Sequence, residues 1–141
     1  MANATHLETV MQGTYALQYW RANNPGVRLE LSGADLSNRP FSKVDLSGAD
    51  LTGADLSGAD LKGANLTGAC LQKASLNQTV LHDALLDGAD FADASLNRAE
   101  LSGATAVQTV FTGARMEAAN LSDARLTGAR LNASRLDEAV F

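Results

Sequence analysis

The side chains of this 141-residue chain that can do acid–base, nucleophilic or metal chemistry are two histidines, one cysteine and 16 carboxylates. Their spacing builds no reaction centre. His6 and His82 fall in different segments, and the pair His82-Asp83 has no second ligand at a metal-binding spacing. Cys70 lies 20 residues from both Asp50 and Asp90. If that spacing stacks them, the carboxylates disfavour the thiolate that a nucleophile needs. One cysteine forms no intrachain disulfide and no cysteine zinc cluster. The glycines recur at intervals of five without the lysine of a phosphate-binding loop. The expectation is a protein that is not an enzyme, with no catalytic residue, no metal and no cofactor.

Composition narrows the class further. The net charge is −5, and aromatic residues make up 5% against 45% apolar residues, so the core must be built mainly from Leu and Ala. The acids concentrate in residues 31–100, while residues 101–141 hold four acids and four arginines. A general basic patch is absent, which argues against direct nucleic-acid binding. No run of 18 apolar residues is present to span a membrane. The opening residues Met1 to His6 lack the basic-then-apolar pattern of a secretory signal. A cytoplasmic location with no membrane partner is expected.

The outward chemistry is positioned by a register of five. From Leu31 to Phe141 every fifth residue is apolar: 17 Leu, four Phe, Met116 and Ala106. Two residues before each member stands a second series, in which 17 of 23 positions are Ala. A helix advances about 100° per residue, so residues five apart drift around its whole surface. A strand has period two, so an odd spacing sends successive leucines to opposite faces. Neither element buries this pattern. The chain must therefore turn once per repeat, and Gly occupies ten of the 22 positions two after the central apolar residue, where turn dihedrals are needed. Units this short cannot bury their faces alone and must stack as a solenoid.

The runs Ala34-Asp35-Leu36-Ser37, Ala49-Asp50-Leu51-Thr52-Gly53, Ala54-Asp55-Leu56-Ser57-Gly58 and Ala64-Asn65-Leu66-Thr67-Gly68 resemble the pentapeptide-repeat proteins, whose motif is Ala-(Asp/Asn)-Leu-X-X in tandem. The resemblance covers residues 29–141. It implies an all-β solenoid, a right-handed quadrilateral parallel β-helix with four pentapeptides per coil. Twenty-three repeats would then give five to six coils, a rod roughly 27 Å long at ~4.8 Å per coil.

In such a coil, residues 20 apart stack. Phe91 and Phe111 fall in one inward column, with Ala106 beside them freeing volume. Phe41 and Phe141 fall in another and are expected as plugs near the two ends. The outward position before each central residue reads Asp35, Asp55, Ser75, Ser95, Arg115, Arg135 on one face. On the second face it reads Asp50, Cys70, Asp90, Val110, Arg130, and on the third Asp45, Asn65, Leu85, Thr105, Arg125. The fourth reads Pro40, Asp60, Val80, Glu100, Asn120, Val140. Three faces change from acidic to basic along the rod. Asp is native to the motif at this position, so these residues serve either the repeat itself or a partner. The candidate partner surface is Asp35, Asp45, Asp50, Asp55, Asp60 and Asp90 together with Arg115, Arg125, Arg130 and Arg135. Val80, Leu85, Val107 and Val110 are outward apolar residues, a candidate small docking patch. Arg39 stands where a small inward residue belongs and Pro40 follows it, which predicts a bulge or loop over Asn38–Val44.

Residues 1–26 do not repeat and are read as a helical cap on a β-helix over 27–141. Thr5 and Glu8 fit a capping box, and Leu7, Val10, Met11, Leu17 and Trp20 recur at helical spacing. This predicts one amphipathic helix covering the first coil. No comparable segment follows the last repeat. Leu126, Leu131, Leu136, Val140 and Phe141 are therefore a candidate dimer end, with a two-fold homodimer through the C-terminal coil as the expected assembly.

The function expected from the residues is a structural or interaction scaffold, a rigid rod that binds a protein partner through its outward faces. The family resemblance adds an alternative. Some pentapeptide-repeat proteins, including quinolone-resistance factors, are dimers that mimic duplex DNA and bind DNA gyrase. The acidic residues would supply part of such a mimic. The arginines would lie at the centre of the dimer and oppose it.

Overall fold

The computed structural model describes all 141 residues. Each pentapeptide makes one bridge and one turn. The N–H groups of Ala34, Ala49 and Ala54 donate to the carbonyls of Leu31, Leu46 and Leu51 at 3.0, 3.1 and 2.9 Å, closing four-residue turns. The residue two after each central apolar residue takes a positive φ, whether Gly (Gly53, 66°) or not (Lys43, 59°). This left-handed residue redirects the chain so that every fifth side chain points inward again.

Parallel bridges then join each outward residue to the one 20 further on, from Glu30–Asp50 to Asn120–Val140, with no slip. Four repeats therefore make one coil, and the span from Glu30 to Val140 is five and a half coils. The repeats stack as a β-helix in which each strand is a single bridge long, because the chain turns before a longer one can form. Every fifth residue from Leu31 to Leu121 is buried, and burying each Leu side chain contributes roughly 1.5–3 kcal/mol. Phe91 and Phe111 stack inside with centroids 5.2 Å apart and planes at 18°, beside the buried Ala106. Thr79 and Thr109, also buried, donate their hydroxyls to the carbonyls of Leu56 and Leu86 at 2.8 Å.

The N-terminal segment departs from the single capped helix that its sequence predicts. Two helices form, α1 (Ala4–Met11) and α2 (Thr14–Asn23). The N-cap is Asn3, not Thr5: its Oδ1 accepts from the N–H groups of Thr5 and His6 at 3.0 and 3.2 Å. Asn caps as well as Thr or better. Its own N–H also donates to Glu30 O at 2.8 Å, so a contact with the first coil places the cap two residues earlier. Gly13, at φ 100°, separates the helices. Val10 and Leu17 are fully buried, and Leu7, Met11 and Trp20 pack partly buried against the same core.

The bulge expected at Asn38–Val44 is absent. Pro40 bridges to Asp60, and Asp60 N donates to Arg39 O at 2.9 Å, so the register runs straight through. The physical reason is position. In each coil the outward residue directs its N–H toward the preceding coil, as Asp50 N does to Leu29 O. Pro40 is in the first coil, where no coil precedes it, and its missing N–H leaves nothing unpaired. Arg39 lies on the same open edge and is exposed, so its guanidinium is never forced inward.

The N-terminal segment satisfies part of the rest of that edge. Glu30 N donates to His6 Nδ1 at 3.0 Å, and Thr14 Oγ1 donates to Ser42 O at 3.3 Å. Arg21 donates to Asp45 O and Ser47 O at 3.1 and 2.8 Å. The opposite edge is bare. The N–H groups of Leu126, Leu131 and Leu136 donate to no carbonyl, and these side chains are half-buried. Val140 and Phe141 are 54% and 63% exposed, so Phe141 is not the buried plug that its column suggests, whereas Phe41 is buried.

Candidate functional site

The outward ladders carry all the candidate residues, and they divide by what each side chain is already doing. An Asp or Asn before the central apolar residue sits one turn short of an N–H that the turn leaves free. Its carboxylate or amide oxygen takes that N–H. Asp45 accepts from Ser47 N at 3.0 Å, Asp50 from Thr52 N at 3.0 Å, Asp55 from Ser57 N at 2.9 Å and Asp60 from Lys62 N at 3.0 Å. Asp90 accepts from Ala92 N at 2.9 Å, and Asn65 and Asn120 act in the same way. Asp35 accepts both the amide and the hydroxyl of Ser37, at 3.1 and 2.7 Å. These bonds, with Arg39 nearby, hold its carboxyl below the usual carboxylate range. Thr52 lowers Asp50 likewise, helped by Arg28 and the chain's N-terminal ammonium. All six candidate aspartates are thus turn-forming residues, and each keeps one oxygen free of that turn bond.

At three repeats whose ladder residue is neither Asp nor Asn, a second device takes the same N–H. Asn77 Oδ1 accepts from Asn97 N at 3.1 Å, Asn97 Oδ1 from Glu117 N at 3.0 Å, and Asp87 Oδ1 from Val107 N at 2.8 Å. Each acceptor belongs to the preceding coil. The three recipients follow Ser95, Arg115 and Thr105, none of which makes the local bond: Ser95 Oγ donates instead to Asn77 Oδ1, and Arg115 has no acceptor. Sequence reading missed Asn77, Asp87 and Asn97. The signal was present: an Asp or Asn just after a central residue, 20 residues before a repeat without one.

Freed from the turn, the arginines project. Arg115, Arg125 and Arg130 are exposed and make no ion pair. Arg135 touches Glu117 at 2.8 Å and Asp137 at 3.8 Å yet keeps 62% of its side chain exposed. The structure does not gather the four into one cluster. Arg115 and Arg135 share a ladder, and Arg125 and Arg130 lie on two others. The apolar patch is dispersed in the same way: Val80, Leu85 and Val110 occupy three separate ladders, and only Leu85 is exposed. Val107 is half-buried.

The remaining reactive side chains are engaged singly. His82 Nδ1 bonds Ser102 Oγ, and Cys70 Sγ lies 3.2 Å from Thr52 Oγ1. No three His, Cys, Asp or Glu side chains converge. What the arrangement can do is present charges at fixed axial intervals on a stiff backbone.

Comparison with known proteins agrees with the repeat geometry. The family model described as pentapeptide repeats matches in eight copies, over residues 30–68, 41–78, 74–113 and 107–141. None of the curated proteins compared with the sequence matches it. Among solved structures the chain is similar to HetL, a pentapeptide repeat protein involved in heterocyst differentiation regulation from the cyanobacterium Nostoc sp. strain PCC 7120. The identity is 29%, over 80% of this chain and 69% of that one, with a TM-score of 0.40. It is similar to Rfr23, a pentapeptide repeat protein from the cyanobacterium Cyanothece 51142, at 25% identity over 93% and 94% of the chains, with a TM-score of 0.44. It is also similar to QnrB1, a plasmid-mediated fluoroquinolone resistance protein, at 19% identity over 80% and 71%, with a TM-score of 0.46.

Proposed function

The chain belongs to the pentapeptide repeat family, and from that premise we propose that it is a non-enzymatic interaction scaffold, a rigid rod that binds a protein partner through its outward faces. The coils are taken as right-handed and quadrilateral, in keeping with the family resemblance, and the location as cytoplasmic, in keeping with the single free Cys70. The observation that carries the reading is the division of labour on the ladders. The aspartates are committed to turns, while Arg115, Arg125 and Arg130 are exposed, unpaired and without a role in the backbone. A backbone already fixed by the stack loses little further freedom on binding, which leaves the rotamer entropy of the arginines as the main ordering cost. The test is capture of a partner by the whole chain beside Arg125→Glu/Arg130→Glu. Loss of the partner with an unchanged thermal melt is the expected result. Equal capture by both chains would overturn the role of these arginines.

A DNA-mimicking, gyrase-binding role is the second reading. The acids of the N-terminal coils support it: Asp35, Asp55 and Asp60 are exposed, and Asp45, Asp50 and Asp90 are partly so. The arginines of the C-terminal coils work against it. A gyrase supercoiling assay with and without a quinolone separates the two readings, and no effect at high protein excess removes the mimic. The scaffold is further proposed to form a homodimer through its C-terminal coil, supported by the half-exposed Leu126, Leu131 and Leu136 and the exposed Val140 and Phe141. Light scattering of the parent and of Phe141→Asp is the check. A dimer that becomes a monomer supports this end as the contact, and a monomeric parent sinks it.

A further inference from the structure

One ladder reads as its own electrostatic complement. Bridges connect Asp35, Asp55, Ser75, Ser95, Arg115 and Arg135 in unbroken order, one residue per coil. Reversing the ladder about the midpoint between Ser75 and Ser95 sets Asp35 opposite Arg135, Asp55 opposite Arg115 and Ser75 opposite Ser95. We infer that this face is an interaction surface for a second copy of the chain, docked side by side and antiparallel about a two-fold axis through the Ser75–Ser95 midpoint.

The geometry supports the match at every level of the rod. Coils in both copies repeat at the same ~4.8 Å, so a register that pairs one level pairs them all. A two-fold contact uses the same patch on both copies, which gives four ion pairs in total. Asp35, Asp55, Arg115 and Arg135 are all exposed. Arg115 has no partner in its own chain, while Arg135 would exchange its exposed contacts with Glu117 and Asp137 for Asp35 of the second copy, and each aspartate uses one oxygen on its own turn. The middle of the face carries two small residues. Ser75 and Ser95 are tied down by bonds to Ser57 and Asn77 at 2.7 Å, so the two rods can approach while the longer charged side chains meet at both ends. Along the flanking corners the same two-fold sets Lys73 against Asp93 and Asn77 against Asn97, with no like charges opposed.

The other ladders lack this property. Reversing the one through Leu85 pairs Asp45 with Arg125, but it also sets Asp83 against Asp83 and Asp87 against Asp87 of the second copy. In the one through Cys70, Asp50 would face Val110, and in the one through Val80, Glu100 would face Val80. Complementarity is confined to one side of four.

Exposed ion pairs are individually weak, and a single side of the rod is a small interface. The contact is therefore concentration-dependent and weakened by salt. It is independent of the end-to-end contact proposed above, and the two used together would build an open chain instead of a closed pair. The test is sedimentation equilibrium of the whole chain at about 0.1 and 0.5 M salt, chosen to straddle the ~8 Å Debye length of 0.15 M. Wild type is compared with Arg115→Asp/Arg135→Asp and with Asp35→Asn/Asp55→Asn. The second variant keeps the turn acceptors and so keeps the fold. Both variants are expected to weaken dimerisation at low salt by on the order of tenfold or more, while Phe141→Asp leaves this contact intact. In a Cys70→Ser background, Asp35→Cys/Arg135→Cys should form a disulfide-linked dimer, since the two positions are five coils apart within one chain. A wild type that stays monomeric at low salt, a dimer indifferent to both charge variants, or the absence of the Asp35→Cys/Arg135→Cys link overturns the proposal.

Discussion

Asp50 shows how one side chain holds both a charge and a turn, and Asp50→Asn separates them. The amide keeps an acceptor for Thr52 N while removing the charge. Asp35 and Asp50 have lowered carboxyl pKa values in the fold. Their contribution is therefore complete above the ordinary carboxylate value of about 4 and is lost as pH falls through the lower folded value. Thermal melts should be flat from neutral pH to about 5 and fall below about 4, and Asp50→Asn should flatten part of that fall. A melt that rises in acid would contradict the assignment. The inter-coil device is tested at Asn97, whose oxygen takes Glu117 N at 3.0 Å. Asn97→Ala should cost about 1 kcal/mol or somewhat more in denaturant unfolding, with Asn97→Asp close to wild type. The local role of Asp and Asn was legible from the motif, because they recur one position before the apolar series. The role of Asn77 and Asn97 was not, because their partners are 20 residues away and belong to another coil.

The element that repeats is a turn with a left-handed residue at its third position, and 12 of these residues are not glycine. A left-handed conformation costs an L-residue with a Cβ about 1–2 kcal/mol, so the array carries distributed strain that packing offsets. Ala118, at φ 56°, has no side-chain bond that explains it. Ala118→Gly is expected to stabilise by about 0.5–1 kcal/mol. Gly103 is the reverse case: its φ is +69°, and the Asp83 carboxylate of the preceding coil occupies the space that a Cβ would enter. Gly103→Ala should therefore destabilise by about 1–2 kcal/mol, and Gly103→Ala with Asp83→Ala should recover the steric part. Denaturant midpoints for the four chains decide this, and equal midpoints for Ala118→Gly and wild type would show that the turn strain is already relieved. That turns recur every five residues was plain from the glycines. Which turns require glycine was not, since the requirement at Gly103 comes from a side chain one coil away.

In the whole molecule each coil touches only its neighbours, so stability varies along the rod. The first coil is covered by α1 and α2, with Val10 and Leu17 fully buried, while the last leaves the N–H groups of Leu126, Leu131 and Leu136 without carbonyl partners. Amide exchange should be fastest there and slowest around Leu51 to Phe91. Equal protection at both ends would mean that the last coil is covered in solution. The five-residue register in the sequence by itself determined the solenoid and the buried Leu and Ala series, while the 20-residue stacking and the Phe91–Phe111 pair were expected from the resemblance to pentapeptide-repeat proteins, which implies four repeats per coil. The solenoid and its buried series follow because a period that neither helix nor strand can bury leaves stacked turns as the way to a dry core. Only the tertiary structure decided where the helices cap, why Pro40 is harmless, and which outward charges are occupied or free. Those outcomes depend on whether a neighbouring coil is present to supply or require a hydrogen bond, and that is a property of position along the rod.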